Sequence, residues 1–243
     1  MILAIVSVIN GKKLLALIPA RGGSKRLPKK NILDLLGKPM ISWSIEAALG
    51  SKFIDKVIVS TDDKEISDIA ENYGVSAPFL RPAELSEDDT SSIDVALHAL
   101  SEIEQSDIDY HYILLLQPTS PLRKSFHIDS AVNLFIEKSA DAIVSVTEME
   151  HPIEWVGEIS DDLSMNNFIT ETKKNKRSQD FSTKFRLNGA IYLISTASLK
   201  KEKTFIPAKK CFAFKMEPID SIDVDYDLDF KIAELLLRLT SQK

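Results

Sequence analysis

The 243-residue sequence predicts an α/β fold, in which helices cover both faces of a mostly parallel, twisted sheet. Short aliphatic and β-branched runs alternate with amphipathic segments, as they do in repeated strand–helix units. The strand-like runs are apolar throughout, which is typical of strands buried on both faces of a sheet. The polar segment 148–187 interrupts the alternation and is too long for an ordinary connection. We therefore expect one domain over 1–243 with a small insertion at 148–187.

The strands are predicted from apolar runs that have the length and composition of buried strands. They cover residues 14–18, 56–60, 112–116, 142–146 and 191–194. The segment 75–80, which ends just before Arg81, is also strand-like.

The helices are predicted from segments in which apolar residues recur with helical spacing. They cover residues 40–49, 64–72, 93–103, 128–136 and roughly 228–239. Thr61 and Asp62 precede the second segment and are good N-cap residues. Because crossovers between parallel strands are right-handed, the carboxyl ends of the strands share one edge of the sheet, where open α/β sheets bind their ligands.

Charge and cysteine content exclude several classes of function. The chain has 30 Lys and Arg against 36 Asp and Glu, a formal net charge of −6, so we expect no nucleic-acid partner. The lone Cys211 excludes a disulfide scaffold, a cysteine-based zinc site and an iron–sulfur cluster, and it fits a reducing cytoplasm. The 4 histidines have no paired spacing, so a histidine-ligated metal is not expected either.

The chain starts with an apolar segment, MILAIVSVI. This segment is much shorter than the roughly 20 residues needed to span a bilayer, and it lacks the basic region and cleavage site of a signal peptide. An extra strand or an upstream start codon would explain it, and the sequence leaves open whether residues 1–11 belong to the natural chain. We expect a soluble cytoplasmic protein with no membrane partner.

The loop after the first predicted strand has the composition of a phosphate-binding site. Gly22 and Gly23 lie side by side there, although the whole chain has only 8 glycines. Adjacent glycines let the backbone approach a ligand closely. The cations that surround them would balance the charge of a polyphosphate, and they are Arg21, Lys25, Arg26, Lys29 and Lys30. A solvated basic loop is the alternative, but the position after a buried strand in an acidic protein favours phosphate binding. Neither GxxxxGK[ST] nor GxGxxG is present.

Two aspartates near the carboxyl terminus have the spacing of a metal site. In an extended segment the side-chain period is two, so Asp223 and Asp225 project from the same face. Two carboxylates completed by water and phosphate oxygens are typical of Mg²⁺, and the sequence leaves Mn²⁺ open. Asp227 and Asp229 enter the following predicted helix, where they are expected to cap it.

Two further loops are candidates for ligand binding. Gln117 begins the segment QPTSPLR at the end of the predicted strand 112–116, and its two prolines stiffen a loop that could hold a reactant in position. A proline-rich turn that only redirects the chain is the alternative. Ser91 and Ser92 open the predicted helix 93–103, and taken alone they are better explained as helix caps than as ligands.

The loop PARGGSKRLPKKN resembles the signature loop of the CMP–sialic acid synthetase family, the cytidylyltransferases that activate nine-carbon 2-keto sugar acids. The similarity continues from Leu14 through most of the chain. It includes Lys38-Pro39, Ser60-Thr61-Asp62, the segment RPAEL at 81–85, LLLQPTSPLR at 114–123, NGAIY at 188–192 and SIDVD at 221–225. The resemblance implies a Rossmann-like nucleotidyltransferase fold. It also implies that 148–187 is a dimerisation subdomain reaching toward the neighbouring active site, and hence a homodimer.

The resemblance implies roles for individual residues. It places Arg81 and Ser92 on the nucleotide, Asn31 near the ribose, and Gln117 on the acceptor sugar. Arg186 precedes NGAIY as the family pattern has it, and its guanidinium could bind the carboxylate of the sugar acid. Further substrate contacts are implied for Arg177, Gln179 and Tyr192. In this chain Ser178 interrupts the Arg-Gln-Asp triplet of the family, which puts the first two of these in question.

The expected activity is the Mg²⁺-dependent transfer of CMP from CTP to the anomeric hydroxyl of a nonulosonic acid, with release of pyrophosphate. Lys25, Arg21 and Lys30 would neutralise phosphate charge, and Asp223 with Asp225 would hold the metal. The base is either Asp225 or a hydroxide on the metal. N-acetylneuraminate or a relative such as legionaminate is the expected acceptor. Pseudaminic acid and Kdo are the alternatives, and a non-catalytic nucleotide-binding module is a third.

Overall fold

The computed structural model describes residues 9, 11–104, 108–166, 168–169 and 176–241. Its centre is a six-stranded mixed sheet with the strand order β2-β1-β3-β5-β4-β6. The strands are β1 (Leu14–Pro19), β2 (Lys56–Ser60), β3 (Tyr112–Leu115), β4 (Ala142–Glu148), β5 (Phe185–Ser195) and β6 (Cys211–Met216). β5 runs antiparallel to its neighbours β3 and β4, whereas the other three pairs are parallel. The predicted α/β class with a mostly parallel sheet is confirmed.

The helices of the described chain include every predicted one. They are α1 (Met40–Leu49), α2 (Lys64–Asn72), α3 (Ser92–Glu104), α4 (Ser125–Glu137), α5 (Thr196–Glu202) and α6 (Asp227–Ser241). No helix of the described residues is long and apolar enough to cross a membrane.

The apolar core covers both faces of the sheet, and strand β1 is therefore buried on both of its faces. Leu14, Ala16 and Ile18 face one layer, which also contains apolar residues of α1, α2 and α4. The intervening Leu15 and Leu17 face the other layer, with α3 and α5. This period of two is the side-chain alternation of a strand. No residue of the run 14–18 is accessible to solvent, which explains why all five are apolar.

A third apolar cluster attaches α6 to the end of the sheet where the loops gather. Ala233 and Leu237 of α6 pack there with Leu35, Leu122 and Val224. Val224 is fully buried, and its backbone N–H donates to the carbonyl of Thr119 at 2.8 Å. The segment before α6 is thereby held against the loop that follows β3.

Two predictions about the connections after β2 are wrong. The segment 75–80 forms only isolated bridges beside β2, from Ser76 to Ile58 and from Leu80 to Thr61. Pro78 lies between these bridges, and a proline cannot donate a ladder hydrogen bond. The N-cap of α2 is Asp63 rather than Thr61 or Asp62, because the carboxylate of Asp63 accepts from Glu65 N at 2.7 Å and from Ile66 N at 3.4 Å.

The predicted insertion corresponds to the connection between β4 and β5. β4 extends to Glu148 and β5 begins at Phe185, so the irregular stretch is slightly shorter than 148–187. Its described part contains two 3₁₀ turns, Ile153–Trp155 and Ser178–Asp180. The rings of Trp155 and Phe181 meet edge to face at 6.2 Å, and Glu154 pairs with Lys184 at 2.8 Å. The sequence has a lysine-rich run in this connection, and Lys173 and Lys174 of that run lie outside the described residues.

Candidate active site

A cleft of about 750 Å³ lies at the carboxyl ends of β1 and β3. Four segments line it: the loop after β1, the stretch leading into α3, the loop after β3, and the segment before α6. Of the residues predicted to form the site, Arg21, Lys25, Lys30, Asn31, Arg81, Ser92, Gln117, Asp223 and Asp225 line this one cleft.

The glycine loop is held in shape by contacts that require small residues. Gly22 N donates to Asp62 Oδ1 at 3.0 Å. A Cβ on Gly22 would lie 2.5 Å from Asp63 Oδ2, so a larger residue would push the loop away from α2. Asn31, which is buried, donates from Nδ2 to the carbonyl of Arg21 at 2.9 Å and ties the two ends of the loop together.

The first cations of the loop share one acidic partner. Arg21 Nη2 lies 2.6 Å from Asp88 Oδ1, and Lys25 pairs with the other oxygen of the same carboxylate. Hydrogen bonds from Lys25 and Arg21 lower the pKa of Asp88, so it is a carboxylate at neutral pH. Asp88 was not among the residues predicted for the site. The acidic run Glu87–Asp89, placed in a loop beside the predicted binding edge, was the available signal.

Two later cations of the loop contact the carboxyl-terminal aspartates. Lys30 Nζ donates to Asp225 Oδ1 and to the carbonyl of Val224, both at 2.8 Å. Arg26 Nη1 donates to Asp225 Oδ2 at 3.1 Å. The hydrogen bond from Lys30 is the main reason that the pKa of Asp225 is lowered. The basic loop and the aspartate pair therefore meet at one point of the cleft.

Asp223 is more deeply buried than Asp225, and its pKa is shifted in the opposite direction. Burial raises its pKa, partly offset by a hydrogen bond with Thr119, and the neighbouring charge of Asp225 raises it further. Both carboxylates line the cleft while Val224, between them, is buried in the apolar cluster under α6. The two are thus presented together, which is what the spacing predicted.

Arg81 is a buried cation with unsatisfied donors beside the cleft. It is 6% exposed, and its Nε and Nη2 have no hydrogen-bond partner among the described residues. Its one nearby carboxylate, Asp62, is 3.8 Å away. Burial lowers the pKa of Arg81, although a guanidinium keeps its charge at neutral pH. Donors of this kind are expected to bind a ligand, because a buried donor without a partner is costly.

The start of α3 places Ser92 in the cleft and leaves capping to its neighbour. Ser91 Oγ accepts from Asp94 N at 3.1 Å, as an N-cap does. Ser92 begins the helix and lines the cleft near Arg81. Both serines were predicted to cap the helix, and among the described residues the capping hydrogen bond is made by Ser91.

Gln117 contacts the sharply bent part of β5. Gly189 has φ +75°, and a Cβ on it would lie 2.5 Å from Gln117 Oε1 and 3.7 Å from Asp223 Oδ2. Glycine is therefore required both by the left-handed backbone and by the approach of the Gln117 amide. Gly189 was not among the residues predicted for the site.

The other predicted substrate residues do not belong to the lining of the cleft. Arg186 is close enough to Asp223 to lower its pKa, yet it does not line the cleft. Tyr192 packs against Phe205 at 5.5 Å between ring centroids, and burial raises the pKa of its hydroxyl. Arg177 is exposed and lies 3.6 Å from Asp180, and Gln179 is in the same 3₁₀ turn.

Comparisons with known sequences identify relatives over nearly the whole chain. A family model described as cytidylyltransferase matches residues 15–239. The pseudaminic acid cytidylyltransferase of Campylobacter jejuni is 36% identical over 231 residues, covering 95% of this chain and 98% of the relative. The CMP-N,N'-diacetyllegionaminic acid synthase of Legionella pneumophila is 35% identical with the same two coverages, 95% and 98%. The N-acylneuraminate cytidylyltransferase of Escherichia coli is 39% identical over 91% of this chain but only 51% of its own length.

Solved structures share the fold at low sequence identity. A CMP:2-keto-3-deoxy-manno-octonic acid synthetase complexed with CTP superposes with a TM-score of 0.69 at 18% identity, covering 94% of this chain and 100% of that one. A 4-diphosphocytidyl-2C-methyl-D-erythritol synthase from Anaerococcus prevotii gives 0.60 at 17% identity, covering 94% and 99%. At these identities the likeness establishes the architecture alone.

Proposed function

Since this chain belongs to the cytidylyltransferase family, we propose that it transfers CMP from CTP to the anomeric hydroxyl of a nonulosonic acid and releases pyrophosphate. N-acetylneuraminate or a relative such as legionaminate is the proposed acceptor. One observation supports the proposal most: the basic glycine loop and the aspartate pair, joined by Lys30 and Asp225, face one cleft. A triphosphate and its metal need just these two kinds of group side by side.

The nucleotide half of the cleft is the part around the glycine loop. Arg21, Lys25 and Lys30 would balance the charge of the triphosphate. The free donors of Arg81 suit the carbonyl and ring-nitrogen acceptors of cytosine, and Ser92 lies beside them. Asn31, at the base of the loop, would contact the ribose region.

The acceptor half is the part around Gln117, whose amide can both donate to and accept from a polyhydroxy acid. Arg186 would bind the carboxylate, with Tyr192 on the same strand supporting it. Arg177 and Gln179 do not line the cleft of their own chain. We propose a homodimer in which the insertion carries these two residues toward the cleft of the second subunit.

The aspartate pair fits a magnesium ion. Asp223 and Asp225 are hard oxygen ligands on one cleft wall, and Mg²⁺ commonly takes one or two carboxylates together with substrate phosphates. When bound, Mg²⁺ would supply charge stabilisation at the α-phosphate and lower the pKa of a coordinated hydroxyl. Both aspartates line the cleft, where Asp225 also pairs with Lys30 and Arg26.

The reaction is a substitution at the α-phosphorus. The anomeric oxygen forms the new bond to phosphorus, the bond to the bridging oxygen of the β-phosphate breaks, and pyrophosphate leaves with that electron pair. The chain positions the two substrates in line and balances charge through Arg21 and Lys25. The hydroxyl proton needs an acceptor near the attacking oxygen. As that acceptor we propose Asp225, which lines the cleft beside Asp223.

The acceptor is tested by measuring pyrophosphate release from CTP with a panel of purified acids. N-acetylneuraminate or legionaminate should give the highest kcat/KM. Pseudaminic acid is the second candidate, favoured by the 36% identity with the Campylobacter relative. Turnover with Kdo alone would overturn the nonulosonate assignment, and CTP binding without turnover of any acid would favour a nucleotide-binding module. We place the reaction in the cytoplasm, where CTP is available.

A further inference from the structure

Strand β5 contains a large bulge beside the cleft. Its pairing with β4 runs from Val144 opposite Tyr192 to Val146 opposite Leu187. The residues of β5 between these pairs, 188–191, therefore lie opposite Ser145 alone. A bulge bends its strand and redirects the side chains and backbone around it. Here it pushes Gly189 toward Gln117 at the mouth of the site.

The bulge interrupts the ladder, so its backbone groups need other partners. Ser145 supplies one set: its Oγ accepts from Ile191 N at 2.7 Å and donates to Asn188 Oδ1 at 2.6 Å. Asn188 Oδ1 also accepts from Ala190 N at 3.2 Å. On the other side, Arg123 Nη1 donates to the carbonyls of Ala190 at 2.9 Å and Gln117 at 3.1 Å. Side chains thus replace the lost strand pairing.

The same contacts extend to the metal-binding segment. Asn188 Nδ2 donates to Ser221 Oγ at 2.9 Å, two residues before Asp223. Ser145, Asn188 and Ser221 are all at most 1% exposed, so no solvent competes for these hydrogen bonds. In such surroundings the loss of one partner leaves a costly unsatisfied group. Hence one buried hydroxyl holds the bulge that faces Gln117, and Asn188 links that bulge to Ser221.

We propose that Ser145 is a positioning residue for the acceptor half of the site, because its hydroxyl fixes the bulge that sets Gly189 against Gln117. Ser145 itself does not line the cleft. The inference rests on the proposed function in one respect, the assignment of Gln117 to the sugar acid. We therefore expect replacement of Ser145 to change KM for the acid and to leave KM for CTP unchanged.

The test is the steady-state kinetics of S145A with each substrate varied in turn. Loss of the hydroxyl should raise KM for the acid about tenfold, the equivalent of one buried hydrogen bond, and leave KM for CTP within about twofold. S145T, which keeps the hydroxyl, should restore KM for the acid to within about threefold of the wild type. S67A is the matched control, since Ser67 is a buried serine of α2 that does not line the cleft. It should leave both KM values unchanged.

A lower kcat in S145A with both KM values unchanged would overturn the inference, because a merely structural serine would reduce only the active fraction. If S145A does not fold, the same kinetic measurements are made on S145C. Because a thiol is a weaker hydrogen-bond donor than a hydroxyl, S145C should give an intermediate rise in KM for the acid. If wild-type enzyme turns over no acid, the proposed function fails. The inference is then judged by a crystal structure of S145A: displacement of residues 188–191 and of Gln117 supports it, and an unmoved Gln117 overturns it.

Discussion

Lys30 Nζ lies 2.8 Å from Asp225 Oδ1, although 195 residues separate them along the chain. The side chain of Lys30 is largely buried, with 14% of its surface exposed. Both residues line the cleft, so the contact lies on the side where the phosphates of CTP are proposed to bind. It also links the glycine loop directly to the segment that carries Asp223 and Asp225.

Replacing Lys25 by alanine should lower kcat/KM by at least about 100-fold, the typical effect of removing one key electrostatic group from a site that stabilises developing charge. Initial rates of pyrophosphate release measure it. Lys29→Ala is the matched control, because Lys29 is in the same loop but pairs with Glu65 at 2.9 Å outside the cleft. Near-normal turnover in the Lys25 variant would remove the loop from the chemistry.

Asp225→Asn should abolish Mg²⁺-dependent turnover and leave part of the CTP affinity. The amide keeps the shape but loses a charge that a divalent cation needs. Titrations of activity against Mg²⁺ and calorimetry with CTP give the two readouts. Asp227→Asn controls for a nearby charge, since Asp227 pairs with Lys231 on α6 at 2.6 Å. An unchanged Mg²⁺ dependence in the first variant would contradict the metal assignment.

Asp88→Asn should strengthen CTP binding about two- to fivefold, the range expected for one exposed ion pair. Asp88 pairs with Arg21 and Lys25, the cations proposed to bind the triphosphate, so the phosphates would compete with this carboxylate for them. The dissociation constant of CTP measures the effect, with Asp89→Asn as the neighbouring control. Weaker binding in the Asp88 variant would show that the carboxylate shapes the site and does not compete for it.

The stability of the fold should decrease in acid through His127. Burial is the main cause that lowers its pKa below the ordinary 6.5, and the nearby charges of Lys124 and Arg123 act in the same direction while Asp220 opposes them. A group with a lowered folded pKa binds more protons in the unfolded chain. Its full contribution is therefore present above pH 6.5 and is lost as the pH falls toward the folded pKa. The free energy of unfolding between pH 5 and 8 should depend less on pH in His127→Gln, whereas replacement of His151, which is exposed, should change nothing.

Deletion of residues 153–174 should yield a monomer, because these residues carry much of the insertion proposed to join two subunits. Exposed Val156, Ile159 and Leu163 belong to the deleted stretch and would be shielded in a dimer. Light scattering after size-exclusion chromatography measures the mass. A dimer that survives the deletion would place the interface elsewhere.

The elements predicted most accurately are those whose environment is uniform. β1 is buried on both faces and reads as an unbroken apolar run, so its position follows from composition. β6 was not predicted, because it is an edge strand with exposed Phe212 and a lysine pair before it, which looks like a loop. α5 was missed as well: with the lysines 200–201 in its last turn it has only a short apolar pattern.

The residues of the candidate site also fall into two groups, those that could be predicted from the sequence and those that could not. Gly22, Lys30 and the aspartate pair stand in short local patterns with a direct chemical meaning. Asp88 and Ser145 act through partners that are far away in sequence, and no local spacing relates Asp88 to Arg21. The bulge in β5 is hidden for a similar reason, since Asn188-Gly189 resembles a simple turn until the unequal pairing with β4 is known.

The direction of β5 has a consequence for how proteins of this architecture can diversify. Because β5 lies beside β4 and runs antiparallel to it, the connection 149–184 starts and ends at the edge of the sheet where the carboxyl ends of β1 and β3 form the cleft. Hairpin loops tolerate changes of length and composition that the strands beneath them do not. We therefore expect acceptor choice and subunit association to vary through this connection, while the glycine loop after β1, proposed to bind the nucleotide, stays the same.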